Sequence, residues 1–346
     1  MRDTAPVRPG EELDVTALRA YLTGVIDGAE DGIEVEQFPG GHSNLTYVLR
    51  ARGVEYVLRR APLGPVGRKA HDMAREYEVL RRLAPCYTPA PRPLHLCRDT
   101  TVIGAVFYLM ERRTGVVLRD ELPATYVALP DHAERISRTL VDGLADLHHI
   151  DIHATGIVGI GRPDGFIERQ VEGWASRWER AKTTKLPAIT RTIAYLRESR
   201  PVPMAPTVVH NDYKLDNVML DPSDPDRLVA VLDWEMTTVG DPLVDVGLSL
   251  VYWQQLGTPP DARVALGAHG ADGWYTREQF LARYADRSGR DVGGIAWYEV
   301  LSIFKLAVIL QQIYRRYVDG QTRDERFRHL DRRVATLAVA AGERLP

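Results

Sequence analysis

VVHNDYKLDNVMLDP, residues 208–222, and AVLDWE, residues 230–235, decide how this chain is read. Apolar, strand-like runs flank each stretch, and the polar residues between them sit at fixed intervals. His210, Asp212 and Asn217 follow an H-x-D-x-x-x-x-N spacing, and Asp233 ends an apolar run. A turn rich in Asp and Asn can be turn chemistry and nothing more. Two separately spaced halves, each beside an apolar strand, fit a catalytic constellation better. Phosphoryl transfer needs such a set for a physical reason. Nucleotide phosphates are highly charged, magnesium takes hard oxygen ligands, and an attacking hydroxyl must be oriented by a carboxylate. Asp212 is then the proton acceptor, and Asn217 and Asp233 are the metal ligands. Lys214, two positions after Asp212, either neutralises charge on the transferring group or faces solvent.

Working outward, the N-terminal third reads as a sheet. A short amphipathic helix (Val15, Leu18, Leu22, Ile26) precedes the β-type runs IEVEQF, LTYVLRA and VEYVLRR, the last two joined by Arg52-Gly53, a hairpin signal. A helix over Lys69 to Ala84 follows, then the Pro-rich APRP and two further strand-like runs, LHLC and VIGAVFYLM. From Arg112 the pattern turns helical, with Ile136, Leu140, Leu144 and Leu147 on one stripe ending at LHHID. Short strands return around TVVH, NVML and RLVAVLD, and from Leu243 the chain is helical again. At 346 residues more than one core is expected. The expectation is an α+β, two-lobed fold of the protein-kinase type. Residues 1–111 form a small β-rich nucleotide lobe, and residues 112–346 a large, mainly helical lobe for catalysis and the acceptor.

Composition narrows the partners. A formal net charge of -3 and a pI near 6.4 give no overall attraction to nucleic acid or to an anionic membrane, so neither is expected as a partner and charge selectivity must be local. The opening MRDTAPVRPGEELDV has no apolar core of signal-peptide length, and LSIFKLAVIL is too short to span a bilayer and carries Lys305; a soluble, cytoplasmic protein is expected. Cys86 and Cys97 form no C-x-x-C pair and read as core or surface thiols.

HNDYKLDN, LDWE and GDPLVDVG together resemble the aminoglycoside phosphotransferase and choline kinase-like family, over about Gln37 to Tyr317. VLRRAP, AREYEVL, LHHID and LDWEMTTVGDPLVDVG resemble the branch of it associated with acyl-CoA dehydrogenases. The resemblance implies ATP and Mg2+ as cofactors. It implies that His210 supports the loop, that Asp245 braces it and that Asp241 shapes the following turn, although both Asp residues could be plain helix-start carboxylates. The family usually has Gly between the His and the Asp; here Asn211 stands there, which could alter the turn's backbone. FPGGHSN would correspond to a nucleotide-covering loop using Gly40, Gly41, Ser43 and Asn44, with a plain hairpin turn as the other reading. Met110 joins the nucleotide-binding positions. A kinase places lysine at the end of the third strand; Arg59 stands there, with the charge but a planar, forked geometry. Its partner follows from helical arithmetic at ~100° per residue. Glu76 falls inside the apolar stripe of Val79, Leu80 and Leu83 while Glu78 lies opposite, and a carboxylate on a buried face needs a cation. Glu76 is therefore paired with Arg59.

On the acceptor side, Arg169 to Arg200 holds eight Lys/Arg against three Asp/Glu. This excess favours an anionic acceptor read by residues such as Arg177 and Arg180, or else it is a solvated helix face. Glu235 joins the acceptor-side candidates. Lys305, in an almost wholly apolar helix, either meets a substrate anion or snorkels to solvent, with snorkelling favoured. The chain thus reads as an ATP- and magnesium-dependent phosphotransferase acting on a small-molecule hydroxyl, with a hydroxy acid or hydroxyacyl-CoA suggested by the resemblance. Its rivals are antibiotic phosphorylation and a catalytically silent nucleotide-binding scaffold. Oligomeric state does not follow from the sequence.

Overall fold

The computed structural model describes residues 3–39, 44–62, 72–119, 122–255, 273–322 and 324–346. Gly40, Gly41 and Ser43 lie outside the described residues. The chain forms two compact units, Met1–Gly115 with Val229–Thr237, and Val116–Leu228 with Thr238–Pro346.

In the first unit, α1 (Val15–Leu22), β1 (Glu34–Gln37), β2 (Leu45–Ala51), β3 (Val54–Arg60), α2 (Met73–Leu83), β4 (Pro93–Cys97) and β5 (Phe107–Glu111) build a sheet with two helices. The strands run in the order β1-β2-β3-β5-β4, each antiparallel to its neighbours. Arg52 (φ 45°) and Gly53 (φ 77°) turn the β2–β3 hairpin, both in the left-handed region that matches strand twist. Alternation then sorts the side chains. Leu45, Tyr47, Leu49, Ala51, Leu58, Phe107 and Leu109 pack in one core with Leu18 and Leu22 of α1. Arg59 lies on the opposite face from its neighbours Leu58 and Arg60. Asp72 caps α2 by accepting the Arg75 N–H. The strand expected over VIGAVFYLM is shorter, because Gly104 (φ 79°) closes a turn on the Thr100 carbonyl and pairing begins at Phe107.

Residues 229–237, grouped from sequence with the second lobe, cluster with the first unit. The Val231 N–H donates to the Pro89 carbonyl at 2.8 Å, and Trp234 meets Tyr87 edge-on with centroids 6.1 Å apart. Arg75 of α2 donates to the Glu235 carbonyl at 3.2 Å and also to the Thr237 carbonyl.

The second unit is helical: α3 (Ala124–Val127), α4 (His132–His148), α5 (Phe166–Ala181), α6 (Pro187–Glu198), α7 (Leu243–Trp253), α8 (Arg277–Ser288), α9 (Ile295–Val318) and α10 (Leu330–Gly342). Strands Thr207–Val209 and Thr238–Gly240 pair antiparallel within it, and the candidate catalytic loop leaves the first of them. The run LSIFKLAVIL belongs to the 24-residue α9, which by length and composition alone could cross a bilayer; 78% of its most apolar stretch is buried, the place of a core helix. Gly247 lets α7 approach α9 closely, since a Cβ there would stand 2.8 Å from the Tyr298 backbone.

Candidate active site

The residues singled out from sequence divide between the units. The first holds Asn44, Arg59, Glu76, Met110, Asp233 and Glu235; the second holds His210, Asp212, Lys214, Asn217, Asp241, Asp245, Arg177, Arg180 and Lys305.

In the first unit, Arg59 bridges two carboxylates. Its Nη1 lies 3.3 Å from Glu76 Oε1 and its Nη2 donates to Asp233 Oδ1 at 3.1 Å. Strand alternation turns Arg59 to the α2 side of β3, and the helical period that singled out Glu76 holds, with Glu76 on the buried side of α2. Arg60, next along, goes the other way: it is fully buried and donates to the Tyr47 hydroxyl and the Glu11 carbonyl. Burial pushes the Glu76 carboxyl up, and Arg59 pulls it back. No donor reaches either Glu76 oxygen in good hydrogen-bond geometry, although the Tyr108 hydroxyl and Trp234 N–H are near. Burial also acts against the Arg59 charge, but Glu76, Tyr108 and Asp233 outweigh it and hold the guanidinium protonated. Glu78 instead pairs with Arg81 and Arg82 on the outer side of α2.

Asp233 has left-handed backbone (φ 65°, ψ 67°), an unfavourable conformation for a non-glycine residue that tends to collect at functional sites. Two residues on, the Glu235 carboxyl is pushed up to about 7, by burial first and then by the Asp233 and Glu76 charges. Asn44 Nδ2 donates to Glu235 Oε2 at 2.8 Å, so Glu235 is anchored within the first unit. Met110 is buried on β5 opposite Val57.

In the second unit, the catalytic loop is braced residue by residue. The buried Asp245 of α7 accepts the His210 and Asn211 N–H groups, at 2.6 Å each. Its Oδ2 also lies 3.4 Å from His148 Nε2, whose other ring nitrogen meets the Tyr284 hydroxyl at 2.7 Å. Burial lowers the His148 pKa; Asp245 remains below the ordinary carboxylate range, because burial, which raises it, is outweighed by its bonds to His148 and His210. A neutral imidazole donating to an ionised carboxylate satisfies both. Asp241 accepts from Met204 N–H, Leu243 N–H and the Tyr298 hydroxyl, tying the turn before α7 to α9.

Asp212 is surrounded by donors. Lys214 Nζ lies 3.1 Å from its Oδ2, and Asn217 Nδ2 donates to the same oxygen at 2.7 Å. The Tyr252 hydroxyl of α7 also hydrogen-bonds Asp212, and Lys214 Nζ sits 4.5 Å from the Tyr252 ring centroid. Tyr252 was missed from sequence, since an aromatic on an apolar helix carries no signal of which loop it faces.

Lys305 does not snorkel. It is 3% exposed, and its Nζ donates to the Asn211 carbonyl at 3.0 Å and to Asn211 Oδ1 at 3.3 Å. Its helix is covered on nearly all sides near its middle, so the stem has no route to water. The basic excess from Arg169 to Arg200 is partly cancelled locally: Lys182, Arg197 and Arg200 pair with Glu179, Glu172 and Glu168. Arg180 donates to Ser176 Oγ, and Arg177 stacks on Trp174 at 4.5 Å.

A small antiparallel sheet with its Arg–Glu–Asp bridge, and a helical unit presenting a braced H-x-D-x-x-x-x-N loop, define a kinase-like phosphotransferase fold. The chain belongs to the phosphotransferase enzyme family (APH), whose sequence profile matches residues 34–283. It is 35% identical to rat acyl-CoA dehydrogenase family member 11 over 335 residues, which is 94% of this chain and 42% of that protein. The chain therefore spans less than half the length of that relative. Among solved structures, one from Ralstonia eutropha JMP134, provisionally described as an aminoglycoside phosphotransferase, is 31% identical at a TM-score of 0.81, covering 96% of this chain and 98% of that one. A thermostable mutant of aminoglycoside phosphotransferase APH(4)-Ia, solved with AMP-PNP and hygromycin B, shares the fold at 14% identity and a TM-score of 0.59, covering 95% of this chain and 98% of that one.

Proposed function

We propose that the protein transfers the γ-phosphoryl group of ATP, taken as its magnesium complex, to a hydroxyl group of a small molecule. The observation that carries this reading is Asp212, a carboxylate on a loop whose preceding peptides are each braced and whose oxygens meet an ammonium and an amide donor. Asp212 accepts the proton of the attacking hydroxyl as that oxygen bonds to phosphorus, and ADP leaves. Lys214 places positive charge beside the reacting group. Asn217 spends its Nδ2 on Asp212, which leaves Oδ1 as a neutral oxygen ligand, and Asp233 supplies an anionic one. These are hard oxygens of the kind magnesium takes alongside phosphate and water. Magnesium, when bound, would neutralise phosphate charge. Arg59, fixed by Glu76, holds the nucleotide phosphates.

A hydroxy acid or hydroxyacyl-CoA is the acceptor favoured by similarity to the acyl-CoA dehydrogenase family member along nearly all of this chain. An aminoglycoside is the second reading, favoured by the Ralstonia chain, which this one matches end to end. The test is ATP-dependent mass gain across hydroxy acids, their CoA esters and aminoglycosides, with wild type and Asp212→Asn side by side. Asp212→Asn should lose transfer by about 10²–10⁴-fold while binding ADP normally. Near-normal turnover in a folded Asp212→Asn would refute the base assignment. Phosphorylation of aminoglycosides alone selects the second reading, and nucleotide-dependent thermal shift without transfer to any acceptor indicates a silent scaffold.

A further inference from the structure

Lys305 is a charged group in the middle of a core helix, and burying an ammonium is unfavourable unless it is paired or bonded. No ion pair to a carboxylate engages it among the described residues. Both of its hydrogen bonds go to one residue, Asn211. That residue has left-handed backbone (φ 68°), a conformation that glycine adopts freely and that Asn tolerates better than most side chains. Asn211 differs from glycine in offering a side-chain oxygen, and Lys305 takes it.

The carbonyl held by Lys305 belongs to the peptide group joining Asn211 to Asp212. That group is planar, so its carbonyl and its N–H turn together. The N–H end, which is Asp212 N–H, donates to His210 Nδ1 at 3.3 Å, and the carbonyl end is held by Lys305 at 3.0 Å. The peptide before it is held in turn, because Asn211 N–H goes to Asp245 Oδ1 at 2.6 Å. Rotation of the Asn211–Asp212 plane would swing the Asp212 side chain relative to Lys214 and Asn217. The clamp is what resists that rotation.

We propose that Lys305 is a positioning residue for Asp212, acting through Asn211, and that the two form one functional pair: a buried lysine that fixes the peptide's direction through the Asn211 carbonyl, and an αL asparagine whose side-chain oxygen gives that lysine a second acceptor that glycine lacks. This rests on the phosphotransfer reading for its consequence, but the clamp itself is testable apart from it. The groups facing Lys305 are Asp212 and Lys214 of the loop, Asp245 of α7 and Arg177 of α5; burial lowers its pKa to about 8, the two Asp charges opposing and the two cations assisting.

The experiment compares wild type, Lys305→Met, Asn211→Gly and the double variant. Methionine keeps the length of the stem and removes the charge, so Lys305→Met should melt no lower than wild type. ATP hydrolysis with water as acceptor, at saturating Mg-ATP, should fall at least tenfold in kcat for Lys305→Met, with KM for ATP within twofold. The double variant should be no slower than Lys305→Met, because the Asn211 side chain acts on the loop through Lys305, while Asn211→Gly alone leaves the carbonyl bond in place and should cost less. Wild-type kcat should decline above about pH 8, and Lys305→Met should lack that limb. Independently of turnover, the Asp212 amide should exchange with deuterium at least tenfold faster in Lys305→Met. Unchanged kcat with unchanged exchange, or fully additive losses in the double variant, would overturn the proposal. If wild type and Asp212→Asn hydrolyse ATP equally slowly, the phosphotransfer reading fails, and the exchange rates still decide the clamp.

Discussion

Arg59→Met should destabilise the first unit severely at pH 7, and its partner variant should reverse most of the damage. At 3.3 Å and an effective dielectric near 20, the Arg59–Glu76 attraction is about 5 kcal/mol. Taking two ions out of water costs about as much, so the pair as a whole contributes little net stability. Removing one partner is different. Glu76 has a side chain with 0% exposure and no good hydrogen bond, so without Arg59 it is an uncompensated buried charge, a loss of about 3–5 kcal/mol. Asp233, the other carboxylate on Arg59, is 33% exposed and keeps its water. Replacing both members with apolar residues, as Arg59→Met/Glu76→Leu, should therefore recover most of the loss. The pH dependence has a definite sign. Burial already raises the Glu76 pKa above 4.5, and losing Arg59 raises it further, so the folded state binds a proton that the unfolded chain does not. That contribution is present below about pH 4.5 and is lost as pH rises through the folded pKa. The Arg59→Met defect should thus shrink between pH 7 and pH 5. Urea titration followed by hydrogen exchange of first-unit peptides, at both pH values, measures it. An equal loss at both, or a double variant as unstable as Arg59→Met, would show that Glu76 is not the buried charge at issue.

Acid should weaken the second unit. His148 and Asp245 both have folded pKa values below their ordinary ones, so this unit gains stability above about pH 6.5 and loses it as pH falls, first through His148 and then through Asp245. His148→Gln should flatten the upper part of a stability–pH curve; an unchanged slope between pH 6.5 and 5 would refute the neutral-imidazole assignment. Gly247→Ala should cost about 1–3 kcal/mol, toward the upper end because its Cβ would meet Tyr298 backbone atoms at 2.8 Å and not a side chain that can move aside. Chemical denaturation of that variant checks the value, and a change below 0.5 kcal/mol would mean that α7 and α9 can part freely.

Much of this protein was legible in its sequence because the signals were periodic or locally spaced. The kinase-like place at the end of the third strand singled out Arg59, and the 3.6-residue period of α2 separated Glu76 from Glu78; the second is a property of one helix, and the ion pair follows when strand and helix pack. The H-x-D-x-x-x-x-N spacing likewise marked Asp212 and Asn217, since five residues of one turn suffice to bring Asn217 Nδ2 to the Asp212 carboxylate. Lys305 could not be read this way. Nothing within α9 distinguishes a lysine that snorkels from one that bonds a loop 94 positions earlier. Asn211 read alone was a mild exception to a glycine, and Tyr252 read alone was an apolar helix position. The Arg169 to Arg200 excess suggested an open basic face, and folding paired part of it with Glu172, Glu179 and Glu168. Sequence by itself determined which residues could do the chemistry, because covalent neighbours and helical or strand periods are local. Only the tertiary structure decided which side chains hold Asp212 in place, because those contacts join α7, α9 and the loop across long stretches of chain, and their partners are set by how the helices pack.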